Sequence, residues 1–137
     1  MNIALMAHDE KKELMIQFCT AYAGILSQHK LYATNSTGHM LSEATGLNVH
    51  CFLTYAHGGN QQIGARIAYN EFDMVLFFND PANAEREGDV PYISRLCDRN
   101  NIPFASNIAT AEMLVMGLAR GDLDWRMIVN PSSRTIA

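Results

Sequence analysis

Met74-Val75-Leu76-Phe77-Phe78 is an unbroken apolar run, bounded by Asp73 before it and by Asn79-Asp80-Pro81 after it. A run this short and this uniform does not alternate as a half-exposed strand does, and it reads as a central strand of a parallel sheet covered on both faces. Such a strand needs other strands beside it and helices above and below. Toward the N-terminus, residues 3–6, 31–33 and 48–53 read as strands, and toward the C-terminus residues 103–106 give a fifth. Between them, helices are expected over residues 11–28, where Leu14, Met15, Phe18, Tyr22, Ile25 and Leu26 recur at helical spacing, and over 38–45, 61–69, 90–100 and 110–120. Gly46 and Gly121 stand where helices end. Strands alternating with helices predict an α/β fold, a three-layer αβα arrangement on a five-stranded parallel sheet wound by right-handed crossovers. With no repeat or linker, residues 1–137 read as a single domain, and the tail from Asn130 onward is expected to be loose.

Composition narrows the function classes. Of the 137 residues, 48% are hydrophobic and 18% charged, the balance of an ordinary globular domain with one core. No apolar run approaches the roughly 20 residues of a membrane span. The first apolar stretch is broken at once by His8 and Asp9 and lacks a basic flank, so export is not expected. Cys19, Cys51 and Cys97 are odd in number and far apart, which argues against a disulfide framework and for a reducing cytoplasm. A net charge of −4 offers no footprint for a nucleic acid polymer, so an anionic ligand needs a local pocket.

Parallel sheets bind ligands beyond the carboxyl ends of their strands. That rule nominates His8 and Asp9, residues 34–38, residues 54–62, residues 79–89 and Asn107. Thr34-Asn35-Ser36-Thr37-Gly38 sets three hydroxyls and several backbone N–H groups at a helix start, which suits a phosphate, although an isolated string of this kind more often caps the helix. Lys12 is within reach of the same point across the first strand, but a lone lysine at a helix start is more often just solvated. Gly58-Gly59 lets the chain turn sharply and approach a ligand, yet most double glycines only mark turns. Asp80 ahead of Pro81 puts a carboxylate at the sheet edge, where turn formation is the plainer reading. Of the five histidines, His8 and His57 fall on the ligand edge, whereas His29, His39 and His50 read as surface or satisfied positions. There is no metal-ligand spacing among them and no C-x-x-C, so a metal site is not expected.

Taken in order, Ala7-His8-Asp9 with Lys12, Tyr32-Ala33-Thr34 with Ser36-Thr37-Gly38, Gly58-Gly59-Asn60-Gln61-Gln62-Ile63-Gly64, Asp80-Pro81, and Ile102-Pro103 through Asn107 to Ala109-Thr110-Ala111 span nearly the whole chain. The ordered set closely resembles bacterial methylglyoxal synthase. The resemblance implies elimination of phosphate from dihydroxyacetone phosphate, no cofactor, and a homohexamer. It also implies that Lys12, Thr34, Ser36 and Thr37 hold phosphate and that His8, Asp9 and Asp80 line or support the reacting end.

Departures from that pattern cluster where the chemistry occurs. The family places a proton-abstracting aspartate where this chain has Asn60, an amide that is barely basic, and general bases commonly supply about 10² to 10⁴ in rate. The family also places a histidine in the loop after Asp-Pro, and Asn83-Ala84-Glu85-Arg86-Glu87-Gly88-Asp89 contains none and is one residue short. Tyr55 and Asn35 stand where the family usually has glycines. With Asn35, Gly38, Thr54, Tyr55, His57, Gly58, Gly59 and Arg86 counted among the ligand-binding candidates, these changes lead to the expectation of a divergent, non-catalytic binder of a small phosphorylated molecule or nucleotide. Tyr55 would then either stack a base, worth about 1 to 3 kcal/mol, or plug the pocket. The alternative is an active or slow synthase in which Asp9, Asp80 or Glu87 has become the base.

Overall fold

The structure, a computed structural model, describes residues 1–129. The tail from Asn130 lies outside them. Five strands form one sheet: β1 (Asn2–Ala7), β2 (Lys30–Ala33), β3 (Val49–Cys51), β4 (Met74–Phe78) and β5 (Phe104–Ala105). Their order is β3-β2-β1-β4-β5, and every pairing is parallel. β4 pairs with β1 along its whole length, from Ile3 opposite Met74 to Ala7 opposite Phe78. The apolar run Met74–Phe78 is therefore an inner strand, paired with β1 on one side and β5 on the other, as expected.

The side chains of these two strands divide by parity. Ile3, Leu5, Met74, Leu76 and Phe78 enter one core, and Ala4, Met6, Val75 and Phe77 the other. Nearly all are fully buried, and burying a large apolar side chain stabilises by roughly 1.5–3 kcal/mol over leaving it exposed. The first core is covered by α1 (Lys12–Ala21), α2 (Ala23–Leu26), α3 (Asn35–Thr45) and α6 (Ile108–Arg120). The second is covered by α4 (Gly59–Ala68) and α5 (Asp89–Arg99). This is the three-layer αβα sandwich that the sequence predicts.

Boundaries differ in instructive places. The helix expected over residues 11–28 breaks at Tyr22, where φ −108 and ψ 20 leave the helical region and separate α1 from α2. The third and fifth strands keep only three and two residues, because each is an edge strand with a partner on one side. α3 begins at Asn35, three residues earlier than expected, which moves the Ser36 and Thr37 hydroxyls inside the first helical turn. A short helix, α7 (Trp125–Val129), follows the one expected to be last. Gly46 and Gly121 end α3 and α6 at φ 75 and φ 84, as their positions implied. Among the described residues, no helix is long and apolar enough to cross a membrane.

The chain runs outward from β1 to β2 and β3, then crosses back to β4 on the other side of β1. That reversal leaves a crevice above the carboxyl ends of β1, β2 and β4, with α1 and α3 on one side and α4 and α5 on the other.

Candidate functional site

A cavity of about 310 Å³ occupies this crevice. Its floor is Met6, Ala7 and Phe77, the ends of β1 and β4. Asp9, Lys12, Thr34, Ser36 and Thr37 form the wall on the α1 and α3 side; Thr54, Tyr55, Ala56, Asn60 and Arg86 complete it from the loops leading to α4 and α5. A larger hollow of about 830 Å³ opens along the outer edge of β3, between Ser27, Lys30, Asn48 and His50, and contains none of the residues nominated from sequence. Chemistry and topology both favour the smaller cavity as the site.

The first wall is built to take an anion. Lys12 Nζ donates to Ser36 Oγ at 3.0 Å and lies 3.0 Å from Asp9 Oδ1, so the ammonium spans from the first loop to the first turn of α3. Thr34 precedes that turn, and its hydroxyl lies 3.5 Å from that of Thr37. No side chain caps α3, so the hydroxyls expected to serve as caps are free of that task. The N-terminal turn of an 11-residue helix, a lysine and three hydroxyls converge here, and each favours a phosphate. Lys12 holds the Asp9 carboxyl below its usual pKa, through their hydrogen bond first and charge attraction second.

The opposite wall depends on two glycines. Gly58 sits at φ 94, a left-handed conformation that starts α4. At Gly59 a Cβ would overlap the Leu53 carbonyl oxygen and lie 2.9 Å from both the Thr54 carbonyl oxygen and Thr34 Cγ2. The start of α4 is therefore pressed against the β2 and β3 loops, and Asn60, 5% exposed, is presented to the cavity. Tyr55 also lines the cavity. The Arg86 guanidinium lies over its ring, 3.6 Å from the centroid, so one face of the ring is already occupied and both residues line the cavity.

Behind Arg86 lies a polar chain that runs from half-buried to fully buried. Arg86 Nε donates to Asp89 Oδ2 at 2.8 Å. The same oxygen lies 3.4 Å from His8 Nε2, which makes no hydrogen bond among the described residues. The Asp80 N–H donates to His8 Nδ1 at 2.9 Å, which requires a lone pair there and puts the ring proton on Nε2. Burial, and then the nearby Arg86 charge, lower the His8 pKa, so the ring is neutral at neutral pH and its contact with Asp89 is not an ion pair.

Of the nominated residues, the structure brings Asp9, Lys12, Thr34, Ser36, Thr37, Thr54, Tyr55, Asn60 and Arg86 to one cavity. Others fall outside its lining. His8 is completely buried beside Phe77, 5.2 Å between ring centroids, and supports the site from behind. The Asp80 carboxylate turns to accept from the Ala82 N–H at 3.0 Å, the turn-forming role that its place before Pro81 suggested. His57 is exposed and tied to Thr54 Oγ1 at 2.7 Å. Asn35 gives its N–H to the Leu53 carbonyl oxygen at 3.3 Å, and Gly38 backs onto Cys51 and Val49, so both are structural. Asn107 caps α6 by accepting from the Thr110 N–H at 3.0 Å. Sequence reasoning missed Asp89 as the residue that holds Arg86, although an i, i+3 pairing of Arg86 with Asp89 was there to be seen.

Comparison with known proteins follows the same lines as the geometry. The model of the MGS-like domain family matches residues 14–106. A protein of Caldicellulosiruptor saccharolyticus named methylglyoxal synthase is 62% identical over 132 residues, covering 96% of this chain and 94% of its own. A methylglyoxal synthase of Geobacillus thermodenitrificans is 54% identical over 136 residues, covering 98% and 94%. The crystal structure of methylglyoxal synthase from Elizabethkingia anophelis NUHP1 superposes with a TM-score of 0.78 at 39% identity, covering 83% of this chain and 76% of its own. These relatives overturn the expectation of a non-catalytic binding protein and favour the alternative of an active synthase. The expectation drawn from Asn60 rested on what that amide cannot do, and the cavity around it also holds a carboxylate, Asp9, and a second cation, Arg86.

Proposed function

The chain belongs to the MGS-like domain family, and on that footing we propose that it is a methylglyoxal synthase, converting dihydroxyacetone phosphate to methylglyoxal and inorganic phosphate. The observation that carries this reading is identity of 54–62% with proteins of that name over nearly the full chain. The cavity supports it: about 310 Å³ is room enough for a three-carbon phosphate.

In this reading Lys12, Ser36, Thr37 and the first turn of α3 take the phosphate, and the carbon skeleton extends toward Asn60 and Arg86. Asp9 is the one carboxylate among the lining residues, and it accepts the carbon-bound proton. Loss of that proton from the carbon bearing the free hydroxyl gives an enediolate. Its collapse breaks the carbon–oxygen bond to phosphate and leaves an enol, which takes up a proton on carbon to become methylglyoxal. Asn60 cannot remove the proton, but its buried amide N–H is a donor for an oxygen of the enediolate. The same family footing leads us to expect a homohexamer, which light scattering would reveal.

The deciding experiment supplies purified protein with dihydroxyacetone phosphate and follows methylglyoxal and phosphate together. Equal, enzyme-dependent release of both is expected. Release no faster than in buffer would overturn the proposal.

A further inference from the structure

We propose that Arg86 is a catalytic residue of this site, the fixed cation that stabilises the enediolate oxygen as the carbon-bound proton leaves, with Tyr55 and Asp89 as the residues that position it. The inference rests on the synthase reading above and assigns a role to a residue outside the pattern shared with that family.

Four observations carry it. First, the guanidinium is held on two sides: Nε donates to Asp89 Oδ2 at 2.8 Å, and the plane lies 3.6 Å over the Tyr55 ring centroid. An arginine fixed by a carboxylate and an aromatic face loses little further freedom when it binds. Second, Nη1 and Nη2 make no hydrogen bond among the described residues, so the outer donors of the fork remain for a ligand in the cavity that Arg86 lines. Third, its charge lowers the pKa of both Asp9 and His8, which places its field on the carboxylate assigned to take the proton. Fourth, the phosphate is already served from the other wall by Lys12, Ser36 and the α3 terminus, on the α1 and α3 side of the sheet. Arg86 comes from the loop before α5, on the α4 and α5 side. A substrate anchored by its phosphate on the first wall presents its carbonyl end to the second.

An arginine also suits the step chemically. The negative charge on the enediolate exists only after proton removal, so a cation aimed at that oxygen binds the transition state more tightly than the substrate. Arginine remains charged throughout the accessible pH range, so no protonation step has to precede its action. Without Tyr55 the guanidinium would lose one of its two restraints, and without Asp89 the other.

The test compares wild type with Arg86→Ala and Arg86→Lys in two measurements. In steady-state kinetics on dihydroxyacetone phosphate, Arg86→Ala is expected to lower kcat by about 10² to 10³, the range for losing one such donor, while KM changes only a few-fold. Arg86→Lys keeps the charge but not the stacked fork, and is expected to fall in between. In calorimetry, inorganic phosphate should bind Arg86→Ala within about threefold of wild type, while 2-phosphoglycolate, whose carboxylate mimics the enediolate, weakens by about tenfold or more. Unchanged kcat, or equal weakening of both ligands, would overturn the role and make Arg86 respectively a bystander or a phosphate ligand. If wild type fails to turn over dihydroxyacetone phosphate, the synthase reading falls by itself, and the calorimetric comparison still decides whether Arg86 recognises the non-phosphate end. Thermal melts of each variant exclude misfolding as the cause.

Discussion

Arg126 and Asp73 form an ion pair inside the protein, with Nε 3.2 Å from Oδ1 and side chains 2% and 0% exposed. Asp73 also accepts from the Asn2 N–H at 2.9 Å, so one carboxylate ties the start of β1 to α7. Arg126 spends its remaining donors on the carbonyl oxygens of Asn100, Asn101 and Phe72 and on Asn70 Oδ1. Two of those residues, Asn70 and Asn101, sit at positive φ, so the guanidinium fastens two sharp turns at the amino end of the sheet. Removing one partner of a buried pair leaves an uncompensated charge and costs about 3 to 5 kcal/mol. Arg126→Met should lower stability by that amount in urea titration while leaving KM for substrate near wild type, because the clamp lies at the opposite end of the strands. A loss below about 1 kcal/mol would show that the pair contributes no more than a surface contact.

At the functional end, Gly59→Ala tests how tightly α4 is seated. The added methyl would overlap the Leu53 carbonyl oxygen and crowd Thr34, and backbone does not yield as a side-chain tip does. Overpacking of this kind costs roughly 1 to 3 kcal/mol. Because the collision is at the cavity, phosphate affinity measured by calorimetry should fall along with the melting temperature. Gly88→Ala is the control, since a Cβ there meets nothing within 4 Å, and it should leave both unchanged.

How much of this was legible in the sequence follows from where the forces act. Met74 to Phe78 disclosed the sheet because a strand covered on both faces must be apolar at every position, a local signal of a global arrangement. That Lys12, Thr34, Ser36 and Thr37 share one cavity wall was legible because each follows a strand at the carboxyl edge of the sheet. Arg86 over Tyr55 was not, since 31 positions separate them and only the crossing of the β3 and β4 loops joins them. α7 was hidden for a similar reason: its anchor is Arg126, a charged residue that reads as exposed until its five protein acceptors are known. Asn60 misled for another reason. A single residue type tells what that side chain cannot do, but not what its neighbours do instead.

His8 should titrate low. Its folded pKa lies below the ordinary 6.5 because burial and the Arg86 charge disfavour the imidazolium, against an opposing pull from Asp89 and Asp80. Between 6.5 and the lower folded value, the unfolded chain binds a proton that the folded chain refuses. Stability from this group is therefore complete above about pH 6.5 and declines as pH falls through that window. An NMR titration of the His8 ring should give a midpoint under 6.5, and Asp89→Asn should move it lower still by removing a carboxylate that favours the charged ring. A midpoint at or above 6.5 in wild type would contradict the buried, neutral assignment.

The last prediction concerns the division of labour between Asp9 and Asn60. Asp9 lines the cavity, but its side chain is 75% exposed and paired to Lys12, which lowers its pKa and makes it a weak base. Position 60 is 5% exposed, so a carboxylate placed there would be desolvated, its pKa raised toward neutrality and its basicity with it. In wild type, Asp9→Asn should lower kcat by about 10² to 10⁴, the usual contribution of a general base. Asn60→Asp should raise kcat by about tenfold or more, since the better base then faces the same substrate. In the Asn60→Asp background, adding Asp9→Asn should cost only a few-fold, because the proton no longer passes through Asp9. The two substitutions are thus expected to be strongly non-additive, and a double-mutant cycle on kcat measures the coupling directly. Full activity in Asp9→Asn alone would remove Asp9 from the chemistry, and strict additivity would mean that the two positions do not act on the same proton.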